Sequence, residues 1–181
     1  KLLHIGHLMN NTIGEALAGL HEIKGLEVKR ASYMGDIGLH VAKSIYGIRQ
    51  NLGKFWRLRF LGQAKSRVKF LGQAYQQGEK AYSEDGGAKA EIENLNKLIY
   101  QKQSFWINYL YRHGRTWSLD YFKQQFKILG SDFDFFFFES QTEGPGRELV
   151  NQYLDQGVFE KGQGAIIFPG EKYGLHNRVF I

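Results

Sequence analysis

His4 and His7 stand three residues apart with Gly6 between them, in the segment His4-Ile5-Gly6-His7. Residues at i and i+3 reach the same side of a helical turn, so two imidazoles at this spacing can act on one ligand. If the segment opens a helix, the first turn adds backbone N–H groups and the positive end of the macrodipole, which attract phosphate. Gly6 has no side chain, so a flat ring can approach the backbone. Placed against a nucleoside triphosphate, the imidazoles would donate to oxygens that gain charge during attack at the α-phosphorus. That is stabilisation by prearranged donors, and neither ring needs to be a nucleophile. Two other readings stay open on these residues alone. One is a metal pair, for which no third ligand stands nearby in sequence. The other is a pair of ordinary polar residues at a helix start.

A second chemical signal is charge. From Ile37 to Gly78 there is no Asp or Glu, while Lys43, Arg49, Lys54, Arg57, Arg59, Lys65, Arg67 and Lys69 fall in that stretch. The whole chain carries +6, so the remainder is net acidic. Tyr46, Phe55, Trp56, Phe60, Phe70 and Tyr75 are interleaved with the bases. Such a strip is an electrostatic footprint for phosphate polymers, and equally a solvated helix face.

The elements that must position these groups follow from periodicity. Residues His7 to Lys24 read as an amphipathic helix, with Ile13, Ala16, Leu17 and Leu20 at i, i+3, i+4 and i+7 and Gly25 as its C-terminal cap. Leu26–Tyr33 reads as a strand, Met34–Gly38 as a glycine-rich turn and Leu39–Gly47 as a helix. That order is much of a βαβ unit without its first strand. The middle is Pro-free and polar, and predicts helices over Phe60–Tyr82, Ala88–Arg112 and Ser118–Leu129, the last with Ser118 as N-cap and Gly130 at its end. The acidic turn Glu84–Gly87 separates the first two. The pentapeptide FLGQA occurs at Phe60–Ala64 and again at Phe70–Ala74, a local duplication or coincidence. Ser131–Ser140, with four consecutive phenylalanines, reads as a buried strand. A short helix over Gly146–Gln156, a hairpin turning about Lys161–Gly164 and a further strand then follow.

Composition bounds the rest. The 181 residues are 43% hydrophobic and 23% charged, an ordinary globular mix for a chain the size of one domain. With no Cys, disulfide scaffolds, Cys-ligated zinc, iron–sulfur clusters and thiol nucleophiles are excluded. A reducing compartment is compatible with this. No apolar run approaches the roughly 18–20 residues of a membrane span. The N-terminal residues are not a secretory signal. A start at Lys1 and an end at Arg178-Val179-Phe180-Ile181 suggest a fragment of something longer.

His-Ile-Gly-His is the first signature of class I aminoacyl-tRNA synthetases, and its surroundings resemble the arginyl-tRNA synthetase family. The resemblance runs through Lys1 to Leu17, then Gly25–Arg30 and Tyr33-Met34-Gly35-Asp36-Ile37-Gly38, where a strand ends in a GD-x-G turn. Trp117-Ser118-Leu119 is similar to that family's tryptophan-containing helix, and Phe133-Asp134 with Glu139-Ser140 to its returning strand. Lys172-Tyr173-Gly174-Leu175 and Arg178–Ile181 are similar to the approach to its next substrate-contacting segment.

What the resemblance implies is an α/β chain: part of a Rossmann-like class I nucleotide fold interrupted by a mainly helical insertion. The parts would be 1–47 (first part of the nucleotide fold), 48–130 (helical insertion) and 131–181 (returning strands). It implies an arginine–tRNA ligase, with arginine activated by ATP and Mg2+ to arginyl-adenylate and then moved to tRNA(Arg). His4 and His7 would be catalytic. Lys1, His4, Gly6 and His7 would bind ATP, with Lys1 as a point charge on phosphate. Glu139 would meet the cationic amino acid, as a carboxylate can meet a guanidinium bidentately. No metal-ligand set is expected, and Asp36 is read as fixing its turn. A cytoplasmic, monomeric enzyme without membrane contact is implied, and the basic strip would face tRNA.

Met9 departs from the family, many members of which have Arg there. Neither a KMSKS-type second signature nor a strand before His4 occurs in the sequence, so this polypeptide alone is expected not to charge tRNA. The alternatives are another synthetase with the same signature, a small nucleotidylyltransferase with H-x-G-H, and an inactive tRNA-binding relative.

Overall fold

The core is built by helices from the middle of the chain. A computed structural model describes residues 3–162 and 164–179. Two units divide the chain, Lys1–Phe136 and Phe137–Ile181. In the first, α1 (Ile5–Ile23) leads to β1 (Ala31–Met34) and then to five helices: α2 (Leu39–Arg49), α3 (Leu52–Leu61), α4 (Ala64–Glu84), α5 (Gly86–Gln101) and α6 (Phe105–Leu129). The molecule is a mixed helix and strand structure in which helix predominates.

Helix α2 packs chiefly on α4, with α5 and α6 completing the block. Ala42, Ile45 and Ile48 of α2 meet Phe70, Leu71 and Ala74 of α4, Ile92, Leu95 and Ile99 of α5, and Ile107, Leu110 and Trp117 of α6 in one buried cluster around Phe55. Two glycines set the α2–α4 distance. A Cβ on Gly47 would lie 2.1 Å from the Ala74 carbonyl oxygen, and one on Gly78 would lie 2.0 Å from that of Lys43. Each helix therefore offers a bare backbone where the other comes closest. At the same interface the buried Lys43 ammonium donates to both Glu79 carboxylate oxygens, at 2.8 and 2.9 Å, and lies 4.3 Å from the Tyr82 ring centroid.

Several sequence expectations stand. Gly25 caps α1 with φ +77, its N–H donating to Glu22 O and the Leu26 N–H to His21 O, a Schellman arrangement. Gly130 ends α6 in the same left-handed conformation. Others need correction. The helix expected over Phe60–Tyr82 is broken at Gly62-Gln63. Gly62 turns so tightly that a Cβ would meet Leu58 O at 2.5 Å. The Arg67 side chain then donates to Arg59 O and adds a second donor to Leu58 O, which already accepts from Gly62 N, so the last turn of α3 is closed from α4. The break expected before Ser118 falls instead at Lys102, which adopts a left-handed φ of 56. The N-cap is Ser104, whose hydroxyl accepts from Ile107 N. Helix α6 runs on through Ser118 because Ile107, Leu110 and Trp117 bury one continuous face.

Burial also differs from expectation. Strand β2 (Phe135–Phe138) pairs only with β1 among the described residues. Phe135 and Phe137 are 48% and 47% exposed, so the tetra-phenylalanine strand is not a buried one. On α1, the stripe Ile13, Leu17 and Leu20 is exposed and Ala18 is the buried residue.

In the second unit, α7 (Glu139–Asp155) carries Pro145 within it. A three-stranded antiparallel sheet follows, of β3 (Glu160–Lys161), β4 (Ile166–Phe168) and β5 (Arg178–Val179), with Glu160 opposite Ile167 and Ile167 opposite Val179. The hairpin forms where expected, the Gly162 N–H donating to Ala165 O at 2.7 Å across the turn.

Candidate active site

Helix α1 begins one residue after His4, so His4 is its N-cap and His7 its third residue. The two imidazoles close a reciprocal capping box. His4 Nδ1 accepts from Gly6 N at 3.2 Å, and His7 Nδ1 accepts from His4 N at 3.2 Å. Their ring centroids are 3.8 Å apart, with planes tilted by 41°. This has a chemical consequence. Each Nδ1 is an acceptor of a backbone N–H, so the proton of each neutral ring sits on Nε2. Backbone hydrogen bonds thus select the tautomer that makes Nε2 a donor.

Gly6 is required by the same geometry. A Cβ there would lie 3.1 Å from His4 Cε1, so a side chain would push the first ring away. His4 is exposed and His7 half-buried, at a helix start that carries no acidic residue in its first turn. Donors and dipole therefore act in the same direction on an anion.

The mounting of α1 rests on residues that sequence reading missed. The Arg30 guanidinium donates to Glu15 Oε2 at 3.1 Å and to the Glu22 carboxylate at 2.7 and 3.2 Å, tying two turns of α1 to the chain entering β1. Arg30 also clamps the strand pair. Its N–H donates to Asp134 Oδ2, and its carbonyl accepts from Asp134 N and Phe135 N. Asn11 donates to the buried Ser131 hydroxyl at 2.7 Å, fixing α1 to the segment after α6. The hydrogen bonds from Arg30 hold the Glu22 carboxyl below the usual carboxylate range and raise the guanidinium in turn. The sequence signal was faint: an isolated Arg preceding a strand, and two acids seven residues apart on one helix face.

Asp36 does fix its turn. Its carboxylate, 6% exposed, accepts from Tyr111 OH at 2.8 Å and lies 3.2 Å from Arg115 Nε, both on α6. Glu139 opens α7, half-buried, where a carboxylate is favoured by the helix N-terminus. It belongs to the second unit, whereas His4, Gly6 and His7 are brought together in the first. Lys1 lies outside the described residues. Among the described residues, no group of three His, Asp or Glu side chains could hold a metal ion, and no helix is long and apolar enough to cross a membrane.

The basic strip is divided by the fold. Lys43 is paired with Glu79, Arg49 with Glu91 at 2.6 Å, and Arg67 caps α3. Arg59 donates to Tyr109 OH. Arg57, Lys65 and Lys69 are exposed, and among the described residues none of the three forms an ion pair.

Comparison with known families places the chain among the class I tRNA synthetases. The profile for "tRNA synthetases class I (R), catalytic domain" matches residues 1–179, and the chain belongs to that arginyl family. The arginine–tRNA ligase of Borreliella afzelii is 28% identical over 167 residues, covering 92% of this chain and 28% of the relative. That of Treponema pallidum subsp. pallidum is 32% identical over 161 residues, 88% of this chain and 26% of the relative. That of Flavobacterium psychrophilum is 27% identical over all of this chain and 32% of the relative. Arginyl-tRNA synthetase from Plasmodium falciparum superposes with a TM-score of 0.70 at 16% identity, over 99% of this chain and 29% of that one. The chain thus spans about a third or less of the length of the curated relatives it matches.

Proposed function

We propose that this chain supplies the HIGH half of the ATP site of an arginine–tRNA ligase, on a Rossmann-like nucleotide fold that carries a helical insertion. The observation that supports this most directly is the imidazole pair, held 3.8 Å apart by its own helix start with both Nδ1 atoms engaged by backbone N–H groups. The substrate is ATP as its Mg2+ complex. The carboxylate of arginine attacks the α-phosphorus, pyrophosphate leaves, and arginyl-adenylate forms. His4 and His7 stabilise the charge gathering on phosphate oxygens through Nε2–H. Gly6 keeps the backbone clear for the adenine ring, and Lys1 adds a point charge on phosphate. Glu139 receives the cationic substrate. The arginyl group then passes to the terminal adenosine of tRNA(Arg), whose phosphates are met by the exposed bases of α3 and α4. Neutralising phosphates in this way releases counterions and carries no sequence information. The reading places the protein in the cytoplasm.

The test is arginine-dependent ATP–pyrophosphate exchange in the presence of tRNA, measured on the full product of the reading frame that encodes this chain. His7→Ala is expected to lower kcat by about a hundredfold or more, the scale for loss of a prearranged transition-state donor. Undiminished exchange in both His4→Ala and His7→Ala would refute the assignment.

A further inference from the structure

Five aromatic rings run in an unbroken ladder across the surface formed by α3 and the start of α6. Phe60 stacks on Trp56 (centroids 6.3 Å apart, planes 18° apart), and Trp56 meets Tyr109 at 5.7 Å with planes tilted by 36°. Tyr109–Trp106 (6.2 Å, 71°) and Trp106–Phe105 (5.6 Å, 79°) meet edge to face, so the exposed rings offer their faces in different directions. The ends of the ladder are bare. Phe60 is 69% exposed, Trp106 62% and Phe105 75%, whereas Trp56 and Tyr109 are half-buried and hold the row in place. The Arg59 guanidinium joins the row, 5.1 Å from the Phe60 centroid and 5.8 Å from that of Tyr109.

Large exposed aromatic surfaces mark interaction sites. The charge around this one selects the partner. The rings of α3 lie in the stretch from Ile37 to Gly78, and those of α6 in the stretch from Asn94 to Leu119, and neither stretch contains an Asp or Glu. Arg57, three residues before Phe60 on α3, and Lys65 at the start of α4 are exposed and form no ion pair among the described residues. Flat rings, a guanidinium in their row and unopposed positive charge are the recognised requirements for holding bases outside a duplex: stacking for the bases, cations for the backbone.

We propose that the Phe60–Trp56–Tyr109–Trp106–Phe105 ladder is a stacking platform for unpaired nucleotides of an RNA. This deepens the ligase reading, on which it rests only for the source of the RNA. The platform recognises single-strandedness rather than base identity, because every base has a face to stack.

The test uses the chain and a short adenine-rich single-stranded RNA, with the same strand in duplex as comparison, followed by fluorescence anisotropy across a salt series. Phe60→Ala and Trp106→Ala are each expected to weaken single-strand binding about tenfold. They should leave duplex binding and the slope against salt unchanged, since neither removes a cation. Trp106→Phe keeps a ring and should retain the affinity. Both positions are exposed, so helicity by circular dichroism should match wild type. Single-strand affinity unchanged in both alanine variants would overturn the proposal. So would an equal loss for duplex, or self-association that Trp106→Ala abolishes, which would mark a protein-docking face. Arginine-dependent exchange by the full product of the reading frame reports on the ligase reading separately. Single-strand binding that needs the rings, without exchange, removes only the ligase; exchange with ring-independent RNA binding removes only the platform.

Discussion

His4 has two roles that a single substitution can separate. Its Nδ1 caps α1, and its Nε2 is the donor offered to a ligand. Asparagine is among the best N-cap residues but presents no imidazole. His4→Asn is therefore expected to keep the thermal stability of the chain while abolishing arginine-dependent exchange. His4→Ala should lose both, at about 1 kcal/mol of folding stability, readable by denaturant titration. Equal destabilisation by the two variants would mean that the capping bond contributes nothing. Arg30 is tested by pH. Because Arg30 lowers the folded-state pKa of Glu22 below its ordinary value of 4.5, the native state binds fewer protons than the unfolded chain through that range. The stability this contributes is whole above the unfolded value and disappears as pH falls through the lowered one. Arg30→Gln should lower stability at neutral pH and flatten the acid limb of a stability–pH curve below about pH 5. The imidazole pair was legible from residue types at i, i+3 alone. Arg30 and Asn11 were not, because their partners Asp134 and Ser131 lie more than a hundred residues away in sequence.

Among the elements, the α2–α4 interface makes the sharpest prediction. Alanine is a better helix former than glycine by about 1 kcal/mol. Yet Gly47→Ala and Gly78→Ala would each drive a methyl into a backbone carbonyl of the facing helix. Both should destabilise, by about 1–3 kcal/mol or more, with the helix pair forced apart. Gly53→Ala on α3 meets nothing within 4 Å and should be neutral or stabilising in the same thermal melt. Helices α1, α2, α4 and α5 were legible from apolar spacing and good helix formers, their ends less so, whereas α6 read as the tail of one helix and a second one starting at Ser118. The break at Gly62 depends on Arg67 reaching back to α3, and the continuity of α6 past Ser118 depends on Trp117 finding the core. A local pattern cannot report what a side chain meets after the chain has turned.

For the molecule as a whole, the fold decides which charges face outward. Single-stranded RNA binding should lose about 0.7 from the slope of log K against log salt for each of Arg57, Lys65 and Lys69 changed to alanine. Lys43→Ala should leave that slope alone and instead lower stability, because Lys43 is buried against Glu79 and Tyr82. Equal slope changes at all four positions would contradict this sorting. The repeated FLGQA shows the division most plainly. Phe60 of the first copy is 69% exposed at the end of α3, while Phe70 of the second is 3% exposed inside α4. Local sequence by itself determined the imidazole pair, its helix, the glycine caps and the excess of positive charge, since each depends on neighbours within a few residues. Only the tertiary structure decided which phenylalanines are buried, which bases are already paired and what holds α1 in place, because burial and pairing are settled by residues that meet across the fold.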